Sequence, residues 1–171
     1  MTLPASLMQE LRALDAVRLW VDAPLAPFTT IGTGGKVDLL LTVSTPAALA
    51  SALGMIEAHD VPWVPLGAGS NLLVADEGFG GVAVKLDDTF AFVEGLPSAP
   101  ATGTERVSIL VGAGVPLARL ASLAAEAGLS GLEFACGIPG SVGGGIAMER
   151  YANGPDLAGL FIGSCGVYGI I

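Results

Sequence analysis

Two glycine-dense strings in this 171-residue chain could do chemistry through their backbones. The first is Gly67-Ala68-Gly69-Ser70-Asn71, directly after an apolar run that ends at Leu66. A glycine pair there lets the chain turn tightly and expose several amide N–H groups. Such a nest receives phosphate oxygens, and Ser70 and Asn71 add side-chain donors. The same residues also make an ordinary tight turn. The second string runs from Gly137 to Gly145 and holds five glycines in nine residues. It enters a helix near Val142, where each glycine costs about 1 kcal/mol relative to alanine. Either a large group lies against this backbone, with an anion seated at the helix N-terminus beside Ser141, or the helix packs closely on a sheet.

Nucleotide and hydrolase motifs of better-known mechanics fail residue by residue. Gly67-x-Gly69 has Leu72 where the dinucleotide fingerprint needs a third glycine, and Gly112-Ala113-Gly114 lacks one too. Gly32-Thr33-Gly34-Gly35-Lys36 places Thr30 at the first glycine of a Walker loop and Val37 at its Ser/Thr position. No G-x-S-x-G elbow occurs. One histidine, His59, and two cysteines, Cys136 and Cys165, make neither a zinc site nor a disulfide framework. His59 reads as a residue closing a helix, and Cys136 as a small buried hydrophobe. Trp20, Trp63 and Phe134 read as core, and Glu133 as a solvated carboxylate that could touch a ligand.

The elements that must position these strings follow from periodicity. Leu3, Leu7, Leu11 and Leu14 fall on one helical face, which predicts a helix up to about Ala16. Residues 22–35 are turn-rich and extended. Val37–Val43 is strand-like; Ser44 and Thr45 cap a helix that has Pro46 in its first turn and runs to about Ala58. Val61–Leu66 is a second strand, so the first string follows a strand–helix–strand unit. Beyond it, residues 81–86, 90–94 and 106–111 are short β runs, with a small-residue loop over 97–104. A helix from about Leu117 to Ala127 ends at Gly128 in the C′ position. The class is α+β in two lobes, with an N-terminal helix over 1–17, a first lobe over 18–88 and a second over 89–171.

Composition narrows the function. Hydrophobic residues are 52% and charged residues 13%, too apolar for disorder. The 25 glycines and 11 prolines argue against a helical bundle. A net charge of −9 with no basic cluster excludes a nucleic-acid partner. The longest charge-free stretch, Leu39–Ile56, is broken by Thr42, Ser44, Thr45 and Pro46, so no membrane span is expected. The first residues lack the basic-then-apolar order of a secretory signal. A cytoplasmic protein is the expectation.

PFTTIGTGGKVDLLL, VPLGAGSNLLVADEGFGGVAVKL and GLSGLEFACGIPGSVGGGIAM together resemble the UDP-N-acetylenolpyruvoylglucosamine reductase family, also called UDP-N-acetylmuramate dehydrogenases. These are peptidoglycan enzymes with the vanillyl-alcohol-oxidase-type flavoprotein fold. The resemblance runs from about Leu25 to Met148. It implies a noncovalent FAD between two α+β subdomains. On motif match, Gly67, Ala68, Gly69, Ser70, Asn71 and Leu72 would surround the pyrophosphate. Ile138, Pro139, Gly140, Ser141, Gly143, Gly144 and Ala147 would line the rest of the flavin channel. It further implies NADPH as electron donor and a UDP-sugar enolpyruvyl ether as substrate, with a serine as proton donor and an arginine and a glutamate supporting the enolate.

The resemblance stops near residue 149. The family usually reads N-A-G-A-Y-G after the position of Met148, and this chain reads Glu149-Arg150-Tyr151-Ala152-Asn153-Gly154. The family's G-Y-R-x-S string has no counterpart; Gly166-Val167-Tyr168-Gly169 carries no arginine. The expectation is a chain without the substrate domain, with no catalytic residue to assign and no turnover of its own. A stand-alone FAD or nucleotide module, and another flavin oxidoreductase of the same fold, are the alternative expectations.

Overall fold

The computed structural model describes residues 3–99 and 106–147. The chain divides into two compact units, with the boundary between Thr89 and Phe90. The sequence reading of residues 149–171 lies outside the described residues.

In the first unit, helix α1 (Ala5–Arg12) is followed by strands β1 (Val17–Pro24) and β2 (Lys36–Val43), helix α2 (Pro46–Ala58), and strands β3 (Trp63–Leu66) and β4 (Phe79–Leu86). The sheet order is β1-β2-β4-β3, with β1 antiparallel to β2 and the other pairs parallel. β2 and β4 are central and apolar. Leu39, Leu41, Val43, Val82 and Val84 pack with Leu7 and Leu11 of α1 and Ala48, Ala52 and Ile56 of α2. Leu40 and Ala83, one step out of phase, join Ala23, Leu25, Val37 and Leu66 in a separate cluster. This is the alternation that a sheet buried on both faces requires.

Local chemistry sets the helix ends. The Thr45 side chain accepts the Ala48 N–H at 3.2 Å, and Pro46 occupies the first helical turn of α2. The end of α2 is closed by Asp60 N–H on the Glu57 carbonyl and Val61 N–H on the Ile56 carbonyl, with Asp60 in the left-handed region. His59 sits at that end and reaches the Glu10 carboxylate of α1 at 3.2 Å.

The second unit contains the two-residue pair β5 (Val93–Glu94) and β6 (Leu110–Val111), helix α3 (Leu117–Glu126), a 3-10 turn over Glu133–Gly137, and the short helix α4 (Val142–Ala147). Val111, Val115, Leu117, Leu120, Ala121, Ala135, Val142 and Ile146 form its core. Gly128 closes α3 as the sequence predicts, with its N–H on the Ala125 carbonyl and the Leu129 N–H on that of Ala124.

Several expectations are corrected. Strand β1 replaces what reads as unassigned and turn-rich sequence, and the N-terminal helix stops at Arg12. The β runs at 90–94 and 106–111 pair over only two residues each; Phe90 closes a 3-10 turn instead. Trp20 is not core. It lies 57% exposed on β1, with its ring 6.4 Å from that of Phe28. Cys136 is exposed rather than buried, because Ala135 takes the inward position of its turn.

Candidate functional site

The loop after β3 is held by a segment far upstream in the chain. Gly69 has φ +68, and a Cβ there would lie 1.9 Å from the Phe28 carbonyl oxygen. The next link is a hydrogen bond from Thr30 N–H to the Gly69 carbonyl at 3.1 Å. Farther along, Gly35 N–H donates to the Ala75 carbonyl at 2.9 Å, and a Cβ on Gly35 would lie 2.3 Å from the Asp76 carbonyl. A Cβ on Gly78 would lie 1.9 Å from the Lys36 carbonyl. Segments 28–36 and 69–78 therefore touch backbone to backbone along their length, which only residues without side chains permit. The sequence shows the glycines but not this pairing.

Within the loop the sequence-selected residues separate by exposure. Gly67, Ala68 and Asn71 are exposed, Ser70 and Leu72 half-buried, and Gly69 buried. Leu72 packs on the cluster around Leu40 and Ala83 and so anchors the loop. Among the described residues, the amides of Ala68 and Gly69 donate to no protein acceptor. No charged residue occurs from Pro65 to Ala75. A ligand here would meet amide dipoles and small side chains rather than ions. That donor set fits a phosphate group.

In the second unit, the amides at the start of α4 are already used. Val142 N–H donates to the Val115 carbonyl at 2.8 Å and Gly143 N–H to that of Ala113 at 2.9 Å. Gly144 N–H donates to Ser141 Oγ at 3.2 Å. A Cβ on Gly143 would lie 2.8 Å from the Ala113 Cβ. Of the two readings of this string, close packing accounts for Val142 and Gly143, and an anion seat on these amides is corrected. What stays open is the turn before the helix. A Cβ on Gly137 would meet nothing within 4 Å, and Gly140 has φ +127. Ile138 packs on the core of this unit, Pro139 and Ala147 are exposed, and Gly140, Ser141, Gly143 and Gly144 are half-buried. Glu133 is exposed and accepts the Gly131 N–H at 2.8 Å, so its carboxylate shapes its own turn.

Outside these strings, the surroundings of Asp87 lower the pKa of its carboxyl. Burial pulls its carboxyl upward. Hydrogen bonds from Ser44 Oγ, Thr89 Oγ1 and Thr89 N–H, with the charge of Arg18 at 3.6 Å, outweigh burial and hold it below the ordinary value of 3.8. Among the described residues there is no cluster of three His, Cys, Asp or Glu side chains able to hold a metal. No helix among them is long and apolar enough to cross a membrane.

These features define an α+β protein with a glycine-rich loop of open backbone amides after a parallel strand. Residues 37–166 match the family model of the FAD binding domain, and the chain belongs to that family. Its relatives are specific. It is 38% identical over 157 residues to UDP-N-acetylenolpyruvoylglucosamine reductase of Bacillus velezensis, covering 92% of this chain and 49% of that protein. It is 39% identical over 155 residues to the reductase of the same name from Bacillus subtilis, covering 91% and 48%. The crystal structure of UDP-N-acetylenolpyruvylglucosamine reductase (MurB) from Thermus caldophilus superposes with a TM-score of 0.58 at 36% identity, covering 78% of this chain and 42% of that one. The chain spans about half the length of the curated relatives it matches.

Proposed function

We propose that these residues are the FAD-binding part of a reductase that converts UDP-N-acetylenolpyruvoylglucosamine to UDP-N-acetylmuramate, with NADPH as electron donor. The observation that carries this is the nest at Ala68 and Gly69, with its open amides, in a chain similar to reductases of that name. Gly67, Ala68, Gly69, Ser70, Asn71 and Leu72 hold the pyrophosphate. Ile138, Pro139, Gly140, Ser141, Gly143, Gly144 and Ala147 line the flavin, with Gly143 also bringing α4 against Ala113. The uncharged loop neutralises phosphate through oriented amides, which need no reorganisation when the ligand arrives. Bound FAD supplies the hydride chemistry. We assign no proton donor and no enolate clamp to this chain. A cytoplasmic location accompanies this reading.

The test is the visible absorption of the purified protein after incubation with FAD and removal of excess. A flavin spectrum that passes into the supernatant on acid precipitation supports noncovalent FAD. Protein that never retains flavin rejects the proposal, and flavin that stays with the pellet rejects the noncovalent part.

A further inference from the structure

Thr29 is the one buried polar or charged residue among those described, at 8% exposure. Its hydroxyl faces three backbone groups at once. Oγ1 lies 3.2 Å from the Ala26 carbonyl and 3.1 Å from the Thr33 carbonyl, and it accepts the Gly32 N–H at 3.1 Å. One hydroxyl proton serves the two carbonyls, and a lone pair serves the amide. Together with the 3-10 turn over Ala26–Phe28 and the bonds of Thr29 N–H to the Ala26 carbonyl and Gly32 N–H to the Thr29 carbonyl, this ties residues 26–33 into one closed turn. The turn's two flanks are the groups that hold Gly69: the Phe28 carbonyl against its Cα, and the Thr30 N–H on its carbonyl.

We infer that Thr29 is a positioning residue for cofactor binding: its hydroxyl fixes the 26–33 turn, and that turn sets the backbone of the 67–72 loop. The inference rests on the reading of that loop as the pyrophosphate site. On this inference Thr29 acts through the turn and not by touching the ligand. Its effect should fall on the phosphate-bearing part of a flavin and spare the ring system.

The experiment titrates the full chain with FAD and with riboflavin, which lacks the pyrophosphate, and follows flavin fluorescence. Thr29→Val keeps the shape and removes the hydroxyl. It should raise the FAD Kd about tenfold, as expected for a buried hydrogen-bonding group left unpaired. The riboflavin Kd should not change, and Thr29→Ser should restore FAD binding. Equal weakening of both ligands, or no rescue by serine, would overturn the positioning role. Equal affinity of the parent for FAD and riboflavin would sink the pyrophosphate reading and the inference with it. A parent that prefers FAD, with the preference intact in Thr29→Val, would sink the inference alone. If the valine variant does not fold, hydrogen exchange on the unsubstituted chain decides. FAD should slow exchange of the 29–33 amides together with those of 67–72, and protection confined to 67–72 would refute the coupling.

Discussion

The carbonyl oxygen of Phe28 stands where a side chain on residue 69 would begin, 1.9 Å from the Cβ position. Gly69 is therefore required by the protein's own backbone before any ligand is considered. Its left-handed φ of +68 adds a second requirement. Gly69→Ala should cost about 2–4 kcal/mol of folding stability, from strain at positive φ plus displacement of a backbone carbonyl. FAD affinity should fall with it. Chemical denaturation with and without FAD checks both; a stability within about 0.5 kcal/mol of the parent, the usual range for a surface substitution, would contradict the contact.

Gly54 is the contrasting case. It lies in the interior of α2, and a Cβ there meets nothing within 4 Å. Gly54→Ala should stabilise the chain by about 0.5–1 kcal/mol, because alanine loses less backbone entropy in a helix. A loss of stability in the same denaturation experiment would show that α2 is covered at that face.

The legible parts of the sequence were those governed by neighbours in the chain. β2, α2 and β3 follow from apolar runs, the Thr45 cap and Pro46, all local signals. β1 was not legible. Val17–Pro24 mixes Arg18, exposed Trp20 and Asp22, the last in the left-handed region, and gains its strand character only by pairing with β2. The loop at 67–71 was visible from its glycines, but the reason for Gly69 lies in Phe28, which no local pattern indicates. Thr29 carries no sequence signal for the same cause: its three partners are backbone groups of a turn that has no sequence period. In the second string, the glycine excess fits packing and ligand approach equally, and what favours packing at Gly143 is Ala113, a residue distant in sequence.

Asp87 should make stability depend on pH below the ordinary carboxylate range. Its folded-state pKa lies below the unfolded value near 3.8, so the charged form is the one the fold prefers. The contribution is present above that unfolded value and is lost as pH falls through the lower folded pKa. Asp87→Asn should flatten this part of the profile while leaving the slope above it alone. Urea midpoints measured from neutral pH downward in both proteins check this. An unchanged acid slope would mean that Ser44, Thr89 and Arg18 do not stabilise the carboxylate.

Ser141 should matter to the second unit with no ligand present. Its Oγ accepts the Gly144 N–H, one of the amides that α4 would otherwise leave open. Ser141→Ala should cost about 1 kcal/mol, the usual loss of an N-cap. Denaturation of the FAD-free protein reads this directly. A variant as stable as the parent, but weaker for FAD, would make Ser141 a ligand group rather than a cap.

A polypeptide made of these 171 residues should take up FAD and leave UDP-N-acetylenolpyruvoylglucosamine unreduced. Hydride addition to an enolpyruvyl ether builds negative charge beside its carboxylate, which must be stabilised and then protonated. Neither glycine-rich string offers the means. Residues 65–75 carry no charge, and residues 128–147 contain no lysine or arginine. The carboxylate just before the second string, Glu133, is committed to the Gly131 amide. Without an acid the rate falls by about 10²–10⁴, and without a clamp by about 10²–10³ more. FAD uptake, on the reading proposed above, draws on the 67–72 and 138–147 residues and needs neither group. NADPH oxidation by FAD-loaded protein should therefore be no faster with the substrate than without it. Substrate-dependent turnover near one per second, which lies within the ordinary enzyme range, would show that these residues carry an acid and a clamp of their own.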